Sequence, residues 1–255
     1  MSKLPKAYQF IDLSDYGRRP AKFIAKLFKG TKITPIHITV AFFVSGLIAV
    51  YCILNKYFWP AGLFLILKSV LDAADGELAR LKNKPSYTGR FFDSVADIIL
   101  NLLIFLSIWY ITNYSLIYSI LAFIGVQLQG TLYNYYYTIV RNKYNGDKTS
   151  RIFENITPIA MQGENQKTVD ILFLLYKIFY GIFDKVIYSL DYNASKSMKF
   201  PNWFMTILSI FGLGFQLLII SVMLVLGWDK YIIPFFIFYS VLIFVFIGIR
   251  KILLK

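Results

Sequence analysis

An all-α fold that crosses a membrane several times is what the amino acids of this chain prescribe, on three observations. Of its 255 residues, 57% are hydrophobic, against about 45–50% in an ordinary soluble domain. Several stretches of about 20 residues are almost free of charge. At about 1.5 Å of rise per residue, each is long enough for a hydrocarbon layer of about 30 Å. The formal charge of +13 sits at the ends of the apolar stretches rather than on one polar face. That is the distribution of membrane topology, and it excludes a nucleic-acid surface.

The elements follow in order. Residues 20–30 are expected to form an amphipathic helix, with Pro20 suited to its first turn and Gly30 to its stop. Phe23, Ile24, Leu27 and Phe28 share one face and Lys22, Lys26 and Lys29 another, a pattern for a helix lying in the headgroup layer. Six transmembrane helices are expected at 35–55, 58–81, 88–112, 114–141, 201–227 and 231–250. The whole chain, 1–255, is then one membrane domain. It has a cytoplasmic or interfacial segment at 1–34, four spans in 35–141, a cytoplasmic or interfacial loop at 142–200, and two spans in 201–255. Lysine and arginine crowd the tail, the 82–90 loop, the 141–199 loop and the C-terminal end, while Lys56 and Lys230 are nearly alone on the other side. Both termini are therefore expected in the cytoplasm. Residues 168–190 are apolar enough to span but carry Asp170, Lys177, Gly181 and Asp184 at helical spacing. A further span there would export the basic C-terminal end, so this segment is expected at the interface or against the bundle. No cleavable signal is expected, because the first 30 residues lack an apolar core. The single cysteine, Cys52, excludes an internal disulfide, and a single histidine, His37, excludes sites built from several histidines.

The chemistry is concentrated where the second and third spans meet. Asp72, Asp75, Gly76, Ala79 and Arg80 are followed, after eight residues, by Gly89, Asp93 and Asp97. Spacings of three and four put each aspartate pair on one helix face. The short loop containing Pro85 makes the two helices antiparallel neighbours. Asp72 lies about 21 Å along its helix from Phe58, and Asp97 about 22 Å from Thr112, so the pairs share one depth, toward the cytoplasmic face. Four carboxylates cannot gather there without positive charge. Ligation by oxygen alone selects Mg²⁺, Mn²⁺ or Ca²⁺. Such ions suit diphosphate chemistry, because they bridge phosphoryl oxygens and neutralise a leaving phosphate. Gly76 and Ala79 leave the helix surface bare for a base or sugar, and Arg80 offers a fork to phosphate.

These eight residues resemble the signature of the CDP-alcohol phosphotransferase (CDP-alcohol phosphatidyltransferase) family without a departure, and the six-helix layout with its preceding amphipathic helix is similar too. The resemblance implies a metal-dependent transferase of substituted phosphate groups (EC 2.7.8-type) in phospholipid synthesis. It implies that Asp72, Asp75 and Asp93 hold two divalent ions, Mg²⁺ or Mn²⁺, with Asp97 also close to the metals. Gly76, Ala79, Arg80 and Gly89 would receive the CDP donor. Asp97 would be the catalytic base that takes the acceptor hydroxyl's proton before attack on the β-phosphorus releases CMP. The donor is expected to be CDP-diacylglycerol and the acceptor a small polar alcohol such as glycerol phosphate, inositol phosphate, serine or choline. A CDP-choline or CDP-ethanolamine type of transfer to diacylglycerol uses the same site. The family also implies a homodimer, membrane lipids as partners, and an active site facing the cytoplasm.

Two rivals make different demands. A cation transporter using the aspartates calls for interrupted helices near the midplane, commonly in repeats, and no repeat is found here. A prenyl-transfer enzyme does not call for the Gly76, Ala79, Arg80 and Gly89 set. Around the signature, Glu77 lies one step off the aspartate face. Arg141, Lys143, Lys148 and Arg151 suit a phosphorylated acceptor or lipid phosphate, or simply set topology. Asn145-Gly146-Asp147 marks a turn. Gln127, Gln129 and Asn134 are expected to line a polar cavity or to bond between helices. Tyr133, Tyr135, Tyr136 and Tyr137 are expected in an interfacial aromatic belt. His37 and Thr39 open the first span without assigned chemistry.

Overall fold

The structure, a computed structural model, describes residues 4–5, 8–144, 156–196 and 200–254. Lys148, Arg151 and the turn at Asn145-Gly146-Asp147 lie outside the described residues. After a 3-10 turn at Leu13–Asp15 come ten α-helices among the described residues. They are α1 (Arg18–Phe28), α2 (Pro35–Leu54), α3 (Phe58–Leu81), α4 (Tyr87–Thr112), α5 (Leu116–Lys143), α6 (Gln166–Leu190), α7 (Asn202–Leu208), α8 (Leu213–Val225), α9 (Asp229–Tyr239) and α10 (Leu242–Leu253). No strand occurs among them. Local chemistry sets the main boundaries. Pro35 occupies the first turn of α2, where its missing N–H costs nothing, and His37 Nδ1 accepts from the Thr34 N–H at 3.1 Å. The Ser86 hydroxyl caps α4 by accepting from the Gly89 N–H at 2.8 Å, and Asn113, with φ 56°, closes its far end.

The fold is all-α and membrane-spanning. α2, α4, α5 and the stretch Asp229–Leu253 are each long and apolar enough to cross a bilayer. Asn202–Phe211 and Leu213–Val225 together are a fifth candidate, bent by 51°. The expected six-span layout also counts α3. Its 24 residues suffice in length, but Lys68, Asp72, Asp75, Glu77 and Arg80 make it more polar than its neighbours. α3 is nonetheless central, packing against α1, α2 and α8.

Neither of the two C-terminal spans is the continuous helix the residues suggest. A 3-10 turn at Ser209–Phe211 is followed by Gly212 in extended conformation (ψ 145°), and the helix restarts at Leu213. The N-terminal turn fills this break. The Ser209 hydroxyl accepts from the Leu13 N–H at 2.8 Å, and a Cβ on Gly214 would run into the Ser14 carbonyl. In the last span the chain breaks between α9 and α10, where the Ser240 hydroxyl turns back to the Phe236 carbonyl at 2.7 Å.

Two apolar cores flank the polar interior. One joins Ile104, Phe105, Ile108, Leu217, Leu224 and Phe236; the other joins Tyr136, Phe204, Phe211, Ile243 and Phe246. The tyrosines of α5 correct the expectation of an aromatic belt, since Tyr133, Tyr135 and Tyr136 are buried. Their hydroxyls have internal partners. Tyr133 donates to Asp12 at 2.6 Å, and Tyr136 donates to Asp191 at 2.5 Å. Asp191 also pairs with Arg250 of α10 through two nitrogens, and both residues are buried. α1 rests on α3 through Ala21 and Ala25, while Phe23 and Leu27 point outward. α6 packs against α4 and α5 and presents Ile171, Leu174, Ile178 and Ile182 on its outer face.

Candidate active site and metal centre

α3 and α4 do not press against each other as close neighbours. α2 packs on both, and their acidic faces look across a cavity of about 990 Å³. All eight signature residues line it: Asp72, Asp75, Gly76, Ala79 and Arg80 from α3, and Gly89, Asp93 and Asp97 from α4. Helical spacing on each strand of the hairpin thus delivers both sets to one space.

One oxygen from each of Asp72, Asp75 and Asp93 lies within 4.8 Å of the others. Asp93 Oδ1 is buried and has no hydrogen-bond partner among the described residues. Three converging carboxylates, one with an orphaned oxygen, fit a divalent cation with oxygen ligands, and the donor set excludes a thiolate or imidazole site. Asp97 stands outside that trio. Its Oδ1 accepts from Lys68 Nζ at 2.6 Å, and Lys68 has no solvent exposure. The Lys68 ammonium also lies 5.2 Å from the centre of the Phe42 ring. Asp75 is held from a third helix, for the Thr39 hydroxyl donates to its Oδ2 at 2.6 Å.

Sequence reasoning missed Lys68 and assigned nothing to Thr39. Lys68 carried a signal, because a lysine inside an apolar helix at the same face as Asp72 and Asp75 demands a partner. Thr39 carried none, since its partner comes from another helix.

At the mouth, Glu77 lies buried between two guanidiniums, 3.1 Å from Arg80 and 3.6 Å from Arg18. Arg18 also pairs with Asp15. Burial opposes the charge of Arg18, but Asp15 and Glu77 outweigh it and raise its pKa. Gly76 is open as expected, since an added Cβ would meet nothing but the Arg80 guanidinium, at 3.6 Å. Gly89 is tighter, with the Ser86 hydroxyl 3.2 Å from such a Cβ. Across α4, Glu164 clasps the start of the helix, accepting from the Ser86 hydroxyl at 2.6 Å and the Thr88 N–H at 2.8 Å. Partial burial pushes the Glu164 carboxyl up, but these bonds and one from the Met161 N–H hold it below its ordinary value.

Deeper, Asn101 and Gln127 line the cavity, and the buried Nε2 of Gln127 has no partner among the described residues. Asn134 lines it as well, whereas Gln129 bonds Ser240 and Gln216 instead. Arg141 lines the cavity beside Tyr137, its guanidinium 5.0 Å from the ring centre; Lys143 does not line it. From α6, Tyr176, Tyr180 and Asp184 complete one wall, with the Tyr180 hydroxyl donating to the Ser94 carbonyl at 3.1 Å.

A helical membrane bundle with an oxygen-only carboxylate centre facing a large internal cavity defines a membrane protein built for divalent-metal chemistry. The chain belongs to the CDP-alcohol phosphatidyltransferase family, whose description matches residues 32–227. It is 36% identical over 80 residues to an archaetidylinositol phosphate synthase of Pyrococcus horikoshii, covering 31% of this chain and 43% of that protein. It is 40% identical over 68 residues to a bifunctional IPC transferase and DIPP synthase of Aquifex aeolicus, covering 26% of this chain and 15% of that protein. The matched segments therefore span less than half the length of either relative.

Proposed function

We propose that this protein transfers a substituted phosphate from a CDP-linked lipid, CDP-diacylglycerol in type, to a small polar alcohol in phospholipid synthesis, releasing CMP. The observation that carries the reading is the division of the four signature aspartates, three converging and one apart, across a cavity that takes in the whole signature. The relatives' names support a CDP-linked phospholipid product, and that of the Pyrococcus protein favours an inositol phosphate among the acceptors.

Asp72, Asp75 and Asp93 would hold two divalent ions, Mg²⁺ or Mn²⁺. When bound, such ions neutralise the charge that builds on the donor diphosphate as its bond breaks. Gly76, Ala79 and Gly89 leave room for the cytidine nucleotide, and Arg80, oriented by Glu77, donates to phosphate. Asp97 takes the proton of the acceptor hydroxyl. The acceptor oxygen then bonds the β-phosphorus, and the bond from that phosphorus to the bridging oxygen breaks with its electrons leaving on CMP. Asn101 and Gln127 offer amides to the hydroxyls of the acceptor. The charge pattern puts the cavity mouth on the cytoplasmic side, and the family supports a homodimer.

The test is purified protein with radiolabelled CDP-diacylglycerol, Mg²⁺ or Mn²⁺, and a panel of alcohols. Metal-dependent CMP release with one acceptor class is expected; no release with any alcohol sinks the reading.

A further inference from the structure

The four carboxylates lie in two layers. Asp72 and Asp75 face Asp93 in the first. One turn away on each helix, about 6 Å along the axis, Lys68 faces Asp97 in the second. Because α3 and α4 run in opposite directions, Lys68 before Asp72 and Asp97 after Asp93 fall on the same, deeper side. The 2.6 Å bond between them closes that layer.

A fully buried lysine in a spanning helix is costly, several kcal/mol without a partner, and leucine or methionine would pack as well at that position. Its ammonium is directed to the fourth aspartate, not to the trio. We infer that Lys68 is a positioning residue for the proposed transfer: it holds Asp97 by Oδ1 and keeps that carboxylate out of the metal shell as the base. With Oδ1 occupied, Oδ2 is the oxygen that receives the acceptor's proton. The charge also balances. Two divalent ions offset the four carboxylates, and Lys68 with Arg80 offsets the two negative charges of a CDP diphosphate.

The inference rests on the transferase reading, and its test separates the two. Lys68→Met frees Asp97 to swing toward the metals. Mn²⁺ binding, followed by the electron paramagnetic resonance of free Mn²⁺ against purified protein, should tighten on the order of tenfold. Meanwhile kcat for CMP release should fall at least about 100-fold, with KM for the CDP-lipid within about threefold. A lysine needed only for folding would weaken both. The double variant Lys68→Met/Asp97→Asn has no orphaned charge, so it reports even where the single variant does not fold. Its Mn²⁺ affinity should return to within about threefold of Asp97→Asn alone. The inference is overturned by a Lys68→Met enzyme with near-normal kcat, by Mn²⁺ affinity that falls with kcat, or by tightening that persists in the double variant. Wild-type protein that releases no CMP would refute the transferase reading alone, because the Mn²⁺ measurement still decides the role of Lys68.

Discussion

The Thr39 hydroxyl, 2.6 Å from Asp75, orients a carboxylate in the metal trio from outside the signature. Thr39→Val keeps the shape and removes that bond. Mn²⁺ affinity should drop by about 10–100-fold, the usual effect of losing a bond to a metal ligand, and unchanged affinity would leave Thr39 as packing. The aspartates themselves separate by role. Asp97→Asn should abolish CMP release while CDP-donor binding, measured by calorimetry, survives. Asp75→Ala should lose both, and near-normal turnover in Asp97→Asn would exclude it as the base. Gly76→Leu should fold as well as the parent, because only the mobile Arg80 guanidinium is near. It should still lose donor binding, and retention of that binding would move the nucleotide elsewhere. The signature residues were legible because type and spacing alone put them on two faces. Thr39 and the amide pair Asn101 and Gln127 gained meaning from which helices meet, and helix contacts leave no local trace.

Elements were legible where periodicity and punctuation agreed. Pro35, Ser86 and Asn113 mark helix ends by rules that depend on the nearest few residues, and the boundaries of α2 and α4 fell close to expectation. Breaks set by distant partners were not legible. The bend at Gly212 is filled by Ser14, and the tyrosines of α5 are buried by Asp12 and Asp191. The Glu164 clasp is of the same kind and yields a pH test. Its carboxyl is held below its ordinary value by bonds to Ser86, Met161 and Thr88, although burial acts the other way. A depressed folded value stabilises above the unfolded value, and that stability is lost as pH falls through the folded one. The melting temperature of wild type should thus exceed that of Glu164→Gln at neutral pH, and the gap should close in acid below the ordinary carboxylate range. A gap constant with pH would show that Glu164 acts by packing alone.

Over the whole molecule, the buried pair of Asp191 and Arg250, with the Tyr136 hydroxyl on the same carboxylate, fastens the end of α6 and α10 to α5. Removing one partner strands the other in a low-dielectric interior. Arg250→Met should cost about 3–5 kcal/mol, seen as a lower unfolding temperature in detergent. Asp191→Leu combined with Arg250→Met should recover most of the loss, and a double variant as weak as the single would show that shape rather than charge is at stake. The seat of the N-terminal turn carries a different consequence. Leu13 bonds Ser209, a partner 196 residues further along the chain, and Ser14 lies against the glycines that follow. As the ribosome issues the polypeptide, this early stretch has to wait, unseated, until the fifth candidate span has emerged. The nascent chain therefore exposes its finished carboxylate hairpin long before the surrounding chamber is walled, and transfer competence is one of the last properties acquired during biogenesis.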